Sequence, residues 1–180
     1  MIKLYIVRHS KTLWNEQRLI QGRTDLDLSP LGISDAEKLK EQIDLNKIDI
    51  CFCSPLLRAK STAKIITDNK IDIIYDDLLI ERDCGILEGT PSQNMDNLRR
   101  TWDLKLDDTS DNNEPLSSLL ERARLFIEKL KNEYDGKSVL IVSHACLIKC
   151  IHFNLLGYDE NTDFLSWYPD NACVYEYEIK

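Results

Sequence analysis

Two of the three histidines in this 180-residue chain follow short apolar runs, each with one polar residue in between. Arg8-His9 follows the run at residues 4–7, and Ser143-His144 follows a second run at residues 139–142. An imidazole can act as a nucleophile or carry a proton, and a guanidinium can hold an anion. Ligands of open α/β sheets bind at the carboxyl ends of the strands. The sequence therefore predicts reactive groups at one edge of a sheet.

Strand-like and helix-like segments alternate along the chain. Apolar runs predict strands at residues 2–7, 48–53, 71–75, 138–142 and 174–179. Two helices are predicted to begin at Ser29-Pro30 and Ser54-Pro55, because serine suits the N-cap and proline the first helical position. Further helices are predicted over residues 116–134 and 145–156. This alternation indicates a mostly parallel sheet covered by helices on both faces, with the last strand at an edge.

Length and composition indicate a single domain over residues 1–180. The net charge of -8 argues against a nucleic-acid partner, since binding a phosphate backbone needs clustered cations. No apolar stretch reaches the roughly 18 residues that span a membrane, so we expect no membrane partner. Because no secretion signal precedes the first strand, we expect a cytoplasmic protein. The oligomeric state stays open.

The six cysteines have two interpretations. Without a secretion signal, buried thiols are expected rather than disulfides. A metal site is the alternative, although the chain has no CxxC pair. Its ligands would be His144, Cys146, Cys150 and His152. We favour buried thiols and predict no metal.

Cys53 and Arg58 are spaced somewhat like the phosphate loop of cysteine phosphatases. Four residues separate them where that loop has five, and Pro55 replaces the glycine-rich backbone that aims N–H groups at phosphate. We therefore predict that Cys53 is a core residue.

The polar stretch at residues 90–115 is too long for a simple connection. It predicts a short, partly helical insertion over the sheet edge, where long insertions often act as lids. Arg99 and Arg100 within it either contact a substrate carboxylate or second phosphate or lie on a solvated helix face. We favour the solvated face.

Five separated motifs carry the side chains with reactive potential. They are Arg8-His9 with the nearby Asn15, Gln21 and Gly22, the segment at residues 28–32, Arg58 within residues 54–59, Glu81 within residues 79–89, and Ser143-His144. Over nearly the whole chain this pattern resembles the histidine phosphatase superfamily, which includes cofactor-dependent phosphoglycerate mutases and many small phosphatases. The resemblance implies a three-layer α/β/α sandwich and a phosphohistidine intermediate.

The resemblance also implies a role for each matched residue. His9 is the implied nucleophile, and Arg8, Arg58 and His144 complete a phosphate pocket. Glu81 is the implied proton donor. Neither a metal nor another cofactor is expected, because the arginines and the second histidine supply the positive charge.

Several neighbouring residues have competing interpretations. Asp83 and Glu88 lie close enough in sequence to take the role of Glu81. Asn15 matches a substrate-contacting position of the family, but it could also cap a turn. The predictions for three other sites are structural: a surface or ion-pair position for Arg82, a core or helix-face position for His152, and a turn at Asp170-Asn171. Asp170-Asn171 also resembles a late segment of the family, but Pro169 just before it favours the turn.

The implied chemistry agrees with the properties of these side chains. A phosphomonoester carries about two negative charges, which two arginines can neutralise through bidentate contacts. A neutral imidazole is a competent nucleophile near pH 7, because an unperturbed histidine titrates near pH 6.5. Covalent capture also divides one difficult displacement into two easier ones.

Two residues after the nucleophile depart from the family pattern, which usually has glycine and then an acidic or polar residue. Ser10 adds a hydroxyl where the backbone approaches phosphate and must adopt the backbone angles required there. Lys11 adds a positive charge that either favours a second anionic group on the substrate or points to solvent. We favour solvent for Lys11.

The resemblance leaves three functions open. The first is a phosphatase acting on a small phosphorylated metabolite, similar to α-ribazole phosphatase, phosphoserine phosphatase and broad-specificity relatives. The second is a cofactor-dependent phosphoglycerate mutase, and the third is a noncatalytic protein that binds a phosphorylated ligand. The insertion of about 25 residues is short for a mutase, and no core group is missing. We therefore favour the phosphatase.

Overall fold

The computed structural model describes residues 1–180 and contains one five-stranded sheet. The strands are β1 (Ile2–Arg8), β2 (Ile50–Cys53), β3 (Ile73–Tyr75), β4 (Ser138–Ser143) and β5 (Val174–Ile179). Their order in the sheet is β3-β2-β4-β1-β5, and only β5 runs antiparallel to its neighbour. The predicted mostly parallel sheet with the last strand at an edge is confirmed.

Helices cover both faces of this sheet. They are α1 (Leu13–Glu16), α2 (Pro30–Lys40), α3 (Leu57–Thr67), α4 (Met95–Thr101), α5 (Leu116–Glu133) and α6 (Ala145–Leu156). Alternating residues of β4 separate two cores: Val139 and Ile141 pack with α5 and α6, while Leu140 and Val142 pack with α2 and α3. Successive side chains of a strand point to opposite faces, so the sheet is the middle layer of an α/β/α sandwich. No helix combines the length and apolar composition that crossing a bilayer requires.

The two predicted serine caps have different outcomes. The Ser29 hydroxyl accepts a hydrogen bond from the Gly32 N–H and caps α2, as predicted. The predicted cap at Ser54 is wrong, because α3 begins at Leu57 and has no side-chain cap. The Ser54 hydroxyl instead lies 2.6 Å from His144 Nε2. Ser54, the residue after β2, therefore contacts the second histidine through its hydroxyl.

The insertion at residues 90–115 is partly helical, as predicted, because it contains α4. Its entry is anchored by an isolated bridge between Leu19 and Pro91. Within the insertion, Arg100 forms ion pairs with Asp108 and Asp111. These contacts fold the polar stretch into an ordered flap beside the sheet edge.

Candidate active site

A cavity of about 830 Å³ lies where β1 and β4 end, at the edge predicted to carry the reactive groups. Among the residues that line it are Arg8, His9, Asn15, Arg58 and Glu81. His144 lies outside the lining and is completely buried, with its ring centroid 5.1 Å from that of His9. The structure thus brings together all six residues that the sequence singled out.

Three hydrogen bonds hold His9, two to backbone carbonyls and one from a side-chain amide. Its N–H donates to the Ser143 carbonyl at 2.9 Å, and its own carbonyl accepts from Asn171 Nδ2 at 2.8 Å. Its ring Nδ1 lies 2.7 Å from the Ser10 carbonyl oxygen. Since a carbonyl can only accept, Nδ1 carries the proton and Nε2 keeps its lone pair. The unprotonated nitrogen of the ring is therefore Nε2.

The surroundings of both histidines favour the neutral imidazole. Burial lowers the pKa of His9 well below its ordinary value, and the charges of Arg58 and Arg8 lower it further. Burial also lowers the pKa of His144, with Arg58 and then His9 as the next causes. His144 Nδ1 is buried and has no hydrogen-bond partner in the protein. The buried Nδ1 of His144 is thus an unpaired polar atom on a ring next to that of His9.

Arg58 is completely buried and is fixed by two backbone carbonyls. Its Nη1 donates to Thr24 at 2.8 Å and its Nη2 to Gly22 at 2.6 Å. Gly22 has a positive φ of 51°, and a Cβ there would lie 2.0 Å from a carboxylate oxygen of Glu88. The positive φ favours glycine at this position, and the Gly22 carbonyl is one of the two that hold the guanidinium.

Arg8 is anchored by the segment before β5. Its Nη1 donates to the Pro169 carbonyl at 2.9 Å, and its guanidinium carbon lies 5.1 Å from the centroid of the Tyr168 ring. The Nε atoms of Arg8 and Arg58 are both buried without a partner. Buried N–H groups of this kind are costly unless something accepts from them.

Glu81 lies at the N-terminal end of α6. Its Oε1 accepts from the Arg82 N–H at 2.9 Å and from the Leu147 N–H at 3.3 Å. Its Oε2 accepts from the Cys146 N–H at 3.3 Å. These three donors orient the carboxyl group in the wall of the cavity that His9 also lines.

The two alternatives to Glu81 lie outside the cavity lining. Asp83 accepts from the Gly85 N–H at 2.9 Å within a turn. Glu88 accepts from the Arg23 and Thr24 N–H groups at 2.8 and 3.0 Å. Both carboxylates hold the local backbone, so of the three only Glu81 faces the cavity.

Asn15 combines the two positions proposed for it. Its Oδ1 accepts from the Thr12 N–H at 3.0 Å and completes a capping box at the start of α1. Asn15 also lines the cavity, and its Nδ2 donates to no protein group. A substrate contact through Nδ2 stays a prediction.

The residues after His9 face away from the cavity. The Ser10 hydroxyl donates to the Gly32 carbonyl at 2.7 Å, and Ser10 does not have a positive φ. Serine therefore meets the backbone requirement without glycine. Lys11 Nζ lies 2.9 Å from Asp35 Oδ2 on the other side of the loop. Neither Lys11 nor the pair Arg99-Arg100 lines the cavity.

The structure contradicts the prediction for one charged residue, Arg82. Arg82 is neither a surface residue nor part of an ion pair, because it is 2% exposed and donates to two backbone carbonyls. Its Nε donates to Glu114 and its Nη1 to Thr101, each at 2.8 Å. The flap folds over Arg82 and turns a side chain expected in solvent into part of the cavity wall.

Among the residues that line the cavity and that sequence reasoning missed are Lys149, Trp102 and Tyr168. The sequence does contain a signal for Lys149, because it is the lone lysine or arginine among the mostly apolar residues of α6. Asn171 was predicted to lie in a plain turn, but its side chain holds the His9 carbonyl. No local pattern separates that role from a turn.

The remaining histidine and the cysteines have structural positions. His152 stacks on Trp167 with ring centroids 4.0 Å apart, and its Nδ1 lies 2.7 Å from the Tyr177 hydroxyl. Cys53 is completely buried in the core, as predicted, and burial raises the pKa of its thiol. All six cysteines are free. The structure brings together no group of three or more His, Cys, Asp or Glu side chains able to hold a metal ion.

The depressed pKa values of His9 and His144 predict that acid destabilises the protein. Both rings stay neutral when folded but gain a proton below about pH 6.5 when unfolded, so the unfolded chain binds more protons there. We expect the free energy of unfolding to fall below pH 6.5 by up to about 1.4 kcal/mol per pH unit for each ring. Urea unfolding at pH 7.5, 6.5 and 5.5 measures this, and His9→Gln should make the dependence shallower. An unfolding free energy that is constant over this range would contradict the prediction.

A family model described as histidine phosphatase superfamily (branch 1) matches residues 4–180. The chain is 30% identical over 178 residues to phosphoserine phosphatase 1 of Hydrogenobacter thermophilus, covering 96% of this chain and 84% of the relative. It is 34% identical over 180 residues to the uncharacterized phosphatase PhoE of Bacillus subtilis, covering 99% and 89%.

A solved structure has a similar fold over the whole chain. It is a phosphoserine phosphatase mutant from Entamoeba histolytica in complex with phosphoserine, and it aligns with a TM-score of 0.85 and 28% identity. The alignment covers 100% of this chain and 92% of that one.

Proposed function

Because the chain belongs to the histidine phosphatase superfamily, we propose that it is a hydrolase that removes phosphate from a small-molecule phosphomonoester through a phosphohistidine on His9. The observation that carries this proposal is the orientation of the His9 ring. Its Nδ1 is engaged by the Ser10 carbonyl, so the lone pair of Nε2 is free beside two guanidinium groups. A nucleophile next to fixed positive charge suits attack on a phosphate.

In the first step, His9 Nε2 attacks phosphorus and the bond from phosphorus to the ester oxygen breaks. Charge on the equatorial oxygens is stabilised by Arg8, Arg58 and His144, whose buried Nε and Nδ1 atoms have no protein partner. The departing alkoxide takes a proton from Glu81. The products of this step are the free alcohol and a phosphohistidine.

In the second step, water replaces the alcohol. The Glu81 carboxylate accepts a proton as the water oxygen attacks phosphorus. The bond from phosphorus to Nε2 breaks and returns its electron pair to His9. Phosphate leaves, and both His9 and Glu81 return to their starting states. No step needs a metal ion, so we propose that hydrolysis is metal-independent.

The identity of the natural ester is a separate proposal. The two curated relatives described above carry the names phosphoserine phosphatase and phosphatase, while a relative from Yersinia pestis, 29% identical over 163 residues, is named a probable phosphoglycerate mutase. Because the names point both ways, the preference for hydrolysis over mutase activity rests on the short insertion. Candidate substrates include phosphoserine and α-ribazole phosphate, both small metabolites that a cavity of about 830 Å³ can hold.

Trapping the covalent intermediate tests the reaction directly. The protein is expected to release phosphate from p-nitrophenyl phosphate in the presence of EDTA. Rapid quenching after mixing with a ³²P-labelled ester should leave label on the protein that is labile in acid and stable in base. Hydrolysis without a trapped phosphoprotein, or activity lost in EDTA and restored by a metal, would contradict the mechanism. Isomerisation of 3-phosphoglycerate without phosphate release would indicate the mutase instead.

A further inference from the structure

One arginine outside the cavity lining holds the backbone of the segment that leads into Glu81. Arg122 lies on α5, and its Nη1 donates to the carbonyls of Leu78 and Ile80 at 3.0 and 2.7 Å. Its Nη2 donates to the Glu81 carbonyl at 3.3 Å. Arg122 does not line the cavity. The guanidinium therefore contacts the main chain of the proposed acid without bordering the space that would hold a substrate.

One carboxylate binds the other side of the same guanidinium. Arg122 Nε lies 2.9 Å from Glu114 Oε1, and Arg122 Nη2 lies 2.9 Å from Glu114 Oε2. The five hydrogen bonds of Arg122 match the five N–H groups that a guanidinium offers. A bidentate carboxylate fixes the direction of an arginine as well as balancing its charge. Glu114 thus holds Arg122 in an orientation that uses all of its donors.

Glu114 also contacts the acid segment through its own main chain. Its N–H donates to the Asp83 carbonyl at 2.9 Å, and its carbonyl accepts from Arg82 Nε at 2.8 Å. Its side chain is 9% exposed. Glu114 lies in the flap, at the end next to α5. The backbone around Glu81 is therefore held by Arg122 and by the returning strand of the flap together.

The Glu81 carboxyl group depends on this backbone for its position. Two of its three donors are the N–H groups of Cys146 and Leu147, each at 3.3 Å. Both lie in the first turn of α6, where main-chain N–H groups have no acceptor within the helix. Contacts of this length are at the long end for N–H donors. A small displacement of the Glu81 main chain would therefore separate the carboxyl group from the helix.

We propose that Arg122, fixed by Glu114, is a positioning residue for Glu81. It holds the main chain where the carboxyl group meets the first turn of α6. This deepens the proposed function, on which it rests for any effect on turnover. The placement of the carboxyl group itself can be measured without catalysis.

Amide hydrogen exchange followed by NMR tests the placement directly. The N–H groups of Cys146 and Leu147 report on the Glu81 carboxyl group, because it accepts from both. Arg122→Lys keeps the positive charge but loses the planar fork of donors. We expect it to speed exchange at these two N–H groups by about tenfold, as the loss of one hydrogen bond to a charged group should. The matched control is Arg124→Lys, the same change at an exposed arginine of α5, which should leave both rates unchanged.

Leaving-group dependence is a second readout that a general loss of stability would not move. Arg122→Lys should lower kcat/KM for glycerol 3-phosphate about tenfold more than for p-nitrophenyl phosphate, since the alkoxide needs the proton of Glu81. In the Glu81→Gln background, Arg122→Lys should change this ratio no further, because the two residues act through one group. Glu114→Gln preserves the side-chain shape, weakens the hold on Arg122, and should act in the same direction if Arg122→Lys does not fold.

The alternative results separate the two proposals. Unchanged exchange at Cys146 and Leu147 in a folded Arg122→Lys protein would overturn the positioning role. Equally faster exchange throughout the protein, or a loss that adds to that of Glu81→Gln, would overturn it as well. Faster exchange confined to the two N–H groups, in a protein that hydrolyses no phosphomonoester, would support the positioning role while rejecting the proposed function.

Discussion

We expect His9→Ala to lower the rate of p-nitrophenyl phosphate hydrolysis by at least about 10³-fold, since the variant lacks the nucleophile. No other group can replace Nε2. The second imidazole is completely buried behind His9, and its Nε2 is engaged by Ser54. The variant should also take up no label from a ³²P ester. Phosphate release and acid-labile protein label are measured on the same preparations.

A matched control is available in the third histidine. His152 stacks on Trp167 and lies outside the cavity lining, so His152→Gln should keep the activity. Undiminished turnover by His9→Ala would refute the covalent mechanism. Equal losses in the two variants would point to a general effect on folding.

The second large effect concerns the leaving group. Glu81→Gln should slow cleavage of an alkyl phosphate such as glycerol 3-phosphate by about 10²- to 10⁴-fold, because an alkoxide cannot depart without a proton. p-Nitrophenolate is a stable anion, so its departure should be much less affected. The ratio of kcat/KM for the two esters, compared between variant and parent, measures the role of this proton.

The control for Glu81 is Asp83, a second carboxylate two residues later in the chain. Asp83→Asn removes a carboxylate that serves a turn outside the cavity lining, and it should leave the ratio of the two esters unchanged. If Glu81→Gln slows both esters equally, the acid role is wrong and Glu81 only shapes the site.

The parts of the site that follow strands could be predicted from the sequence. His9 and His144 each follow a buried run, and two parallel neighbours in one sheet bring such residues to one edge. The capping role of Ser29 is local as well, because serine before proline is a strong helix start. Each of these predictions depends on residues close together in the chain.

The contacts that complete the site depend on distant segments instead. The partners of Arg82 are the Thr101 and Glu114 carbonyls, so its burial is decided by how the flap folds. Charged residues are mostly exposed, which made the surface prediction the reasonable one. Ser54 is a residue type that often caps helices, but its hydroxyl contacts His144, which lies 90 residues later in the chain. Tertiary contacts outweigh local preference at both positions.

The anchoring of the Arg8-His9 pair has a consequence for how the protein is made. The Pro169 carbonyl that holds Arg8 and the Asn171 amide that holds His9 lie 161 and 162 residues further along the chain. A ribosome therefore translates the proposed nucleophile long before the residues that position it. A nascent chain still lacking the segment around Asn171 has the His9 imidazole but not its final support, so on the proposed mechanism catalytic competence arises late in synthesis.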